Sequence, residues 1–106
     1  MQEKPNLTYI KELAGDDLAF EQKFIDILKK EFPEETAIYI NHIQNNEPRA
    51  AAEIVHKLKH KFNILSMEEA YKLAVNYEEE LRAGRTEMHH RFKRILNTIK
   101  DYLNTI

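Results

Sequence analysis

The chain contains no cysteine and no tryptophan, and only two of its 106 residues are glycine and three are proline. Without cysteine, the chain can form neither a disulfide framework nor a thiolate metal site. So few helix-breaking residues favour long helices over a turn-rich all-β fold. The lack of thiols also fits a reducing compartment, and we therefore expect a cytoplasmic protein.

Long apolar runs and a strong net charge are also missing. No run approaches the roughly 18 apolar residues that a membrane span needs, and residues 1–9 lack the apolar core of a signal peptide. The formal net charge of −2 gives no general attraction to nucleic acid. Hydrophobic residues make up 42% of the chain, which is enough for a core. We therefore expect one soluble domain over residues 1–106, a monomer that binds neither nucleic acid nor membranes.

Apolar side chains recur at helical spacing along the chain, and no segment alternates with the period of a β-strand. The spacing and the turn residues predict helical segments at about 7–13, 48–65, 67–83 and 87–106. A further helix begins at about residue 17, and Pro33 either kinks it or breaks it; after a break, a new helix would run from about Pro33 to Gln44. Amphipathic helices joined by short turns pack as bundles. The predicted fold class is therefore all-α, an antiparallel four-helix bundle with a short N-terminal helix.

Polar residues at the predicted helix starts suggest specific caps. Asp16 or Asp17 can cap the second segment, since a carboxylate accepts hydrogen bonds from free backbone donors there. Ser66 and Glu69 form a capping-box pattern at the start of the fourth segment. Thr86 can cap the last segment.

His56 lies at the centre of the polar face of the predicted 48–65 helix. On a helical wheel of about 100° per residue, the opposite side is a continuous apolar arc formed by Ala51, Ile54, Val55, Leu58, Phe62 and Leu65. A helix with this asymmetry buries its apolar arc and exposes the opposite face. The imidazole therefore points to solvent, with the ammonium of Lys59 one turn away. This arrangement suits a nucleophile that transfers a bound chemical group to another protein.

Other polar residues permit simpler interpretations. Arg49, Lys57, Lys59 and Lys61 form a basic patch, which is either a solvated helix face or a site for an anion near His56. The three consecutive glutamates from Glu78 are predicted to be solvated helix surface. The same holds for the three histidines to which we assign no role, namely His42, His89 and His90.

His56 and His60 are four residues apart on one helix face, a spacing that lets two imidazoles hold one metal ion. A structural zinc site needs four ligands and a catalytic one at least three, and the neighbouring lysines repel a cation. We therefore predict no metal ligands, and a histidine-based metal binder remains only a minor alternative.

The stretch Ile54–Leu65, with the sequence His56-Lys57-Leu58-Lys59, resembles the motif of histidine phosphotransfer (HPt) domains. These helical bundles carry phosphoryl groups in multistep two-component signalling. The segments Leu13–Asp17 and Leu73–Gly84, together with the bend at Phe32-Pro33, also resemble the family. The resemblance thus covers nearly the whole chain.

The resemblance implies that His56 accepts a phosphoryl group and relays it between aspartates of response-regulator receiver domains. A hybrid sensor histidine kinase is a further expected partner. Lys59 matches the family's lysine and would contact the phosphoryl oxygens, while Lys57, His60 and Asn63 would contact the partner. His60 stands where the family commonly has glycine. The chain itself would need no cofactor and have no autonomous enzymatic activity, since Mg²⁺ would belong to the receiver.

A helical adaptor that never carries phosphate is the alternative from another functional class. Periodicity alone is compatible with it, because many interaction modules are amphipathic bundles. The feature that favours the phosphocarrier is the pairing of His56 with Lys59, for which an adaptor has no need.

Overall fold

The computed structural model describes residues 3–106, and all regular secondary structure in that range is helical. The helices are α1 (Thr8–Ala14), α2 (Leu18–Gln44), α3 (Pro48–Ile64), α4 (Glu68–Arg82) and α5 (His89–Leu103). The predicted all-α class is thereby confirmed, and Pro48 is the first residue of α3 as predicted.

Helix α3 lies between α2 and α4, α5 packs against α2 and α4, and α1 packs against α2. Only residues 45–47 and 65–67 connect α2 to α3 and α3 to α4, and such short turns make successive helices antiparallel. One cluster of buried side chains includes residues from all five helices, among them Ile10, Leu28, Leu58, Tyr77 and Phe92. Four long helices thus form the bundle, and α1 adds to one side of it.

Pro33 does not break α2, which runs without interruption from Leu18 to Gln44. Proline has no N–H to donate to the carbonyl of Lys29 one turn earlier, so the helix lacks one internal hydrogen bond there. Phe32 and Tyr39 on either side are buried in the common core, and this packing holds the two halves in one helix. Of the two alternatives that the sequence left open, the break is excluded.

The helix caps are only partly as predicted. Asp17 caps α2, because its carboxylate accepts from the backbone N–H of Phe20 at 2.9 Å. The capping box of Ser66 and Glu69 is wrong: Ser66 has a φ of 62°, and its side chain forms no cap. Instead the carboxylate of Glu3 accepts from the N–H groups of Glu69 and Ala70, each at 2.9 Å.

The turn before α5 also differs from the prediction. Thr86 does not cap the helix with its side chain. The helix begins at His89, whose N–H donates to the backbone carbonyl of Thr86 at 3.0 Å. Gly84 ends α4 as predicted and has a φ of 85°, a left-handed conformation that glycine adopts without steric cost.

A buried hydrogen-bonded chain connects three helices. The hydroxyls of Tyr39 and Tyr77 lie 2.6 Å apart, and the Tyr39 hydroxyl lies 2.7 Å from Nδ1 of His89. The prediction that His89 is a solvated surface residue is therefore wrong. Burial lowers the pKa of His89, with smaller contributions from His90 and Lys93, and burial raises the pKa of Tyr39 far above its ordinary value. These shifts favour neutral groups throughout the chain of hydrogen bonds.

Candidate functional site

His56 lies on the exposed face of α3, as the helical wheel predicts. Its side chain is 51% exposed, whereas Leu58, two residues later, is fully buried. The apolar arc opposite His56 is buried in the core. The polar face is narrower than the wheel suggests, because Ala52, four residues before His56, is also fully buried. Packing against both α2 and α4 explains this extra burial, and His56 stands at the rim of the α3–α4 contact.

Glu78 of α4 is the partner of His56. Nδ1 of His56 lies 3.3 Å from each carboxylate oxygen of Glu78. An ionised carboxylate can only accept hydrogen bonds, so the hydrogen of a neutral His56 ring must be on Nδ1. Nε2 is then the nitrogen with the free lone pair, and it has no hydrogen-bond partner within residues 3–106. The contact thus fixes the ring with its nucleophilic nitrogen free.

The prediction that Glu78 is solvated surface is wrong, since only 8% of the residue is exposed. Its carboxylate also accepts from Nζ of Lys59 at 2.9 Å and from Nη2 of Arg82 at 2.7 Å. Burial opposes ionisation of Glu78, but the hydrogen bonds from Arg82, Lys59 and His56 outweigh it and lower its pKa to about 2. A buried carboxylate that stays ionised therefore lies directly behind the His56 ring.

Lys59 is less exposed than predicted. Only 12% of its side chain is accessible, and its ammonium lies between Glu78 and the ring of Tyr71, whose centroid is 6.0 Å away. Its charge is paired with the Glu78 carboxylate, whose Oε1 also lies 3.3 Å from Nδ1 of His56. Lys59 is therefore joined to His56 through Glu78, as part of one hydrogen-bonded cluster.

The other predicted site residues of α3 lie around His56 on the surface. Lys57, His60 and Asn63 are all exposed. The rings of His56 and His60 are in edge-on contact, with centroids 5.0 Å apart. These three side chains therefore lie on the exposed side of α3.

Lys61 does not belong to this basic patch. Its side chain is 11% exposed and points toward α2, where its ammonium lies 3.1 Å from Glu31 and 3.0 Å from Glu35. The predicted patch of four basic residues is therefore divided between two sides of α3, and of the four only Arg49 and Lys57 are exposed and without a carboxylate partner within residues 3–106. In the same range, no group of three or more histidine and carboxylate side chains is arranged to hold a metal ion.

Sequence reasoning missed Glu78 and Arg82 as members of the site. Their spacing of four residues on α4 was the available signal, because an acidic residue one turn before a basic one forms an ion pair on a helix. That Glu78 also reaches His56 and Lys59 depends on how α4 packs against α3.

Comparisons of the chain with family models, curated proteins and solved structures find no match. Within the described residues, no helix has the length and apolar character needed to cross a membrane.

The cluster around Glu78 makes a specific contribution to stability. The pKa of the Glu78 carboxyl is lowered from its ordinary value of 4.5 to about 2 in the folded chain. This difference is equivalent to about 3 kcal/mol of stabilisation. Because the folded pKa is the lower one, this stabilisation is complete above about pH 4.5 and is lost as the pH falls toward 2. We expect Glu78→Gln to lower the free energy of unfolding at pH 7 by up to that amount. Urea unfolding from pH 2 to 7 measures it.

The matched control is Glu79→Gln, which changes the neighbouring and exposed glutamate. It should alter the free energy of unfolding by less than about 0.5 kcal/mol. Equal effects of the two substitutions at pH 7 would contradict the assigned role of Glu78. The same would follow if Glu78→Gln retained the full decline in stability between pH 4.5 and 2.

Proposed function

We propose that this chain is a histidine phosphocarrier, in which His56 accepts a phosphoryl group from a receiver-domain aspartate and passes it to the aspartate of another receiver. The observation that carries the proposal is the contact between Nδ1 of His56 and the buried, ionised Glu78. It leaves the outer ring nitrogen of an exposed imidazole as the nucleophile. An exposed acceptor is required because the phosphoryl donor is another protein.

The transfer uses groups that are present in the chain. Nε2 of the neutral ring attacks phosphorus, the P–N bond forms, and the P–O bond to the receiver aspartate breaks, returning a free carboxylate. The phosphorylated ring keeps its hydrogen on Nδ1 and becomes positively charged. That charge develops next to the carboxylate of Glu78, which is already in place to stabilise it. The return reaction follows the same path in reverse.

We propose further roles for the residues around the ring. Once the ring is phosphorylated, its positive charge pairs with the Glu78 carboxylate. The Lys59 ammonium then moves from Glu78 to the phosphoryl oxygens. Lys57, His60 and Asn63 form the contact surface for the receiver, which supplies the Mg²⁺ that its aspartate chemistry requires. Phosphoryl transfer depends mainly on positioning and charge stabilisation, and a carrier of this kind needs no enzymatic activity of its own.

The direct test incubates the purified chain with a panel of receiver domains labelled on aspartate with ³²P. We expect the label to appear on the chain and to be lost in acid but retained in base, as a phosphoramidate is. Label that is stable in acid would indicate a phosphoester and contradict the proposal. Absence of transfer from every receiver domain in the panel would contradict it as well.

Lys59 gives a second prediction about transfer. We expect Lys59→Ala to slow transfer roughly tenfold to a hundredfold, which corresponds to about 1.4–2.7 kcal/mol of lost charge stabilisation. The measurement is the single-turnover rate from a labelled receiver. Lys72→Ala is the control, because Lys72 is an exposed lysine of α4. If both variants transferred at the wild-type rate, the phosphoryl-stabilising role of Lys59 would be wrong.

An adaptor without phosphate chemistry is the second candidate, and one observation favours it. Several large apolar side chains are exposed on α1 and α2, including Phe20 and Ile27, which follow the apolar spacing of α2 but are 41% and 45% exposed. Leu18 is 74% exposed. Where exposed apolar side chains form a contiguous patch, the patch marks a site of protein contact. Partner binding that is unchanged in His56→Gln, together with absence of labelling, would favour the adaptor.

A further inference from the structure

Within residues 3–106, a single polar side-chain contact joins α5 to another helix. It is the 2.7 Å hydrogen bond between the Tyr39 hydroxyl of α2 and Nδ1 of His89, the first residue of α5. In the same range no salt bridge includes a residue of α5. Helix α5 also packs less closely on α2 and α4 than α3 does. The attachment of α5 therefore depends on apolar packing and on His89.

Two buried hydroxyls extend this contact into the core. Tyr39 and Tyr77 are fully buried, and their hydroxyl oxygens lie 2.6 Å apart. Each hydroxyl has one hydrogen to donate. When His89 is neutral, the Tyr77 hydroxyl donates to Tyr39, and the Tyr39 hydroxyl donates to the lone pair of Nδ1. Both buried hydrogens then have an acceptor.

Protonation of His89 disturbs this arrangement. Both nitrogens of a charged imidazole are donors, so Nδ1 no longer accepts the hydrogen of Tyr39. Three hydrogens then share the two contacts, and either Tyr39 or Tyr77 keeps a hydrogen without an acceptor among residues 3–106. A buried polar group without a partner costs free energy that a solvated one does not. The geometry therefore favours the folded state with a neutral His89.

The surroundings of His89 also oppose a positive charge. The titratable groups that face it are Tyr39 from α2, Tyr77 behind it from α4, and His90 and Lys93 of α5 itself. Burial lowers the pKa of His89, and the two cationic neighbours lower it further. The first turn of α5 contains no acidic residue, so the charge would also lie unopposed at the positive end of the helix dipole. His89 is still partly exposed, and a proton can reach it from solvent.

We propose that His89 makes the attachment of α5 sensitive to acid: in a mildly acidic solution the ring takes up a proton, and the first turn of α5 separates from α2 and α4. Separation uncovers the aromatic cluster of Tyr39, Tyr77 and Phe92. Because the folded pKa lies below the ordinary value of about 6.5, the stabilisation is complete above about pH 6.5 and declines as the pH falls below it. The switch is separate from His56 and stands whether or not the chain carries phosphate.

Amide hydrogen exchange of the full chain, followed by NMR at about pH 7.5 and about pH 5, tests the proposal. Both values lie well above the folded pKa of Glu78, about 2. After correction for intrinsic exchange rates, we expect acid to lower the protection of amides 92–96 at least about fivefold more than that of the α3 amides. His89→Gln supplies an oxygen that can accept from Tyr39 and has no proton to gain, so its α5 amides should lose no more protection than those of α3.

His90→Gln is the matched control, because it removes the neighbouring, exposed imidazole. It should retain the selective loss of protection in α5. A wild-type chain without that loss, or a loss of equal size in His89→Gln, would overturn the proposal. If His89→Gln does not fold, NMR titration of the wild-type rings decides. We expect the His89 ring to titrate below the ordinary imidazole value of about 6.5, and titration at or above that value would overturn the proposal as well.

Discussion

Replacing His56 with glutamine should abolish phosphoryl transfer to the chain while leaving the fold intact. Glutamine removes the nucleophilic nitrogen, and its amide keeps a donor for the carboxylate of Glu78, 3.3 Å from the present ring nitrogen. The side chain is half exposed, so the free energy of unfolding should change by under about 0.5 kcal/mol. Labelling from a phosphorylated receiver and urea unfolding measure the two effects on the same preparation.

His60→Gln is the matched control, because it changes the imidazole whose ring centroid is 5.0 Å from that of His56. His60 has no carboxylate partner within residues 3–106, so nothing there fixes its tautomer. We expect this variant to retain the label. Label that persists in His56→Gln and disappears in His60→Gln would move the acceptor to His60. Label that persists in both would place the acceptor elsewhere in the chain.

The sequence was most informative where a structural property depends on local periodicity. The exposure of His56 and the burial of Leu58 follow from the phase of a single helix, which the positions of apolar residues determine. The helix ends at Asp17, Pro48 and Gly84 are equally local, because each depends on the conformation or hydrogen bonding of one residue. These predictions needed no knowledge of what packs against the helix.

The errors arose where a side chain meets a partner distant in sequence. Lys61 looked like surface because its partners, Glu31 and Glu35, lie on another helix. The N-terminus of α4 is capped by Glu3, 66 residues before the N–H of Glu69 that it accepts from. No local pattern contains that information. Ser66 has a left-handed conformation in the turn. The carboxylate that caps α4 is therefore that of the distant Glu3, and the predicted local capping box does not form.

Glu78 shows why the candidate site could not be predicted in full from the sequence. The two residues that follow it are also glutamates, so composition alone makes it look solvated. Its position one residue after the buried Tyr77 and four before Arg82 puts it at the edge of the α4 contact face. Whether such an edge residue faces solvent or the next helix depends on the packing of α3. The chemistry proposed for His56 depends on this choice, since Glu78 selects which ring nitrogen is free.

The largest loss of stability is expected from Leu58→Asp. Leu58 is fully buried in the cluster that joins all five helices, on the helix that packs against both α2 and α4. A carboxylate there has no cationic partner within the core, and burial of an unpaired charge is among the most destabilising changes known for single substitutions. Domains of this size are stable by only about 5–15 kcal/mol. We expect the cooperative unfolding transition to disappear, as measured by circular dichroism during heating.

Two variants make that result specific to the orientation of α3. Lys57→Asp introduces the same charge at the preceding residue, which is exposed, and it should retain a cooperative transition near the wild-type temperature. Leu58→Ala removes apolar contacts without adding a charge and should cost about 2–5 kcal/mol, so it should keep a cooperative transition, at a lower temperature than that of Lys57→Asp. If Leu58→Asp folded and Lys57→Asp did not, the buried residue would be Lys57 rather than Leu58, and the assigned orientation of α3 would be wrong. His56 could then no longer be the proposed acceptor, because the orientation of α3 that buries Leu58 is the one that exposes the imidazole.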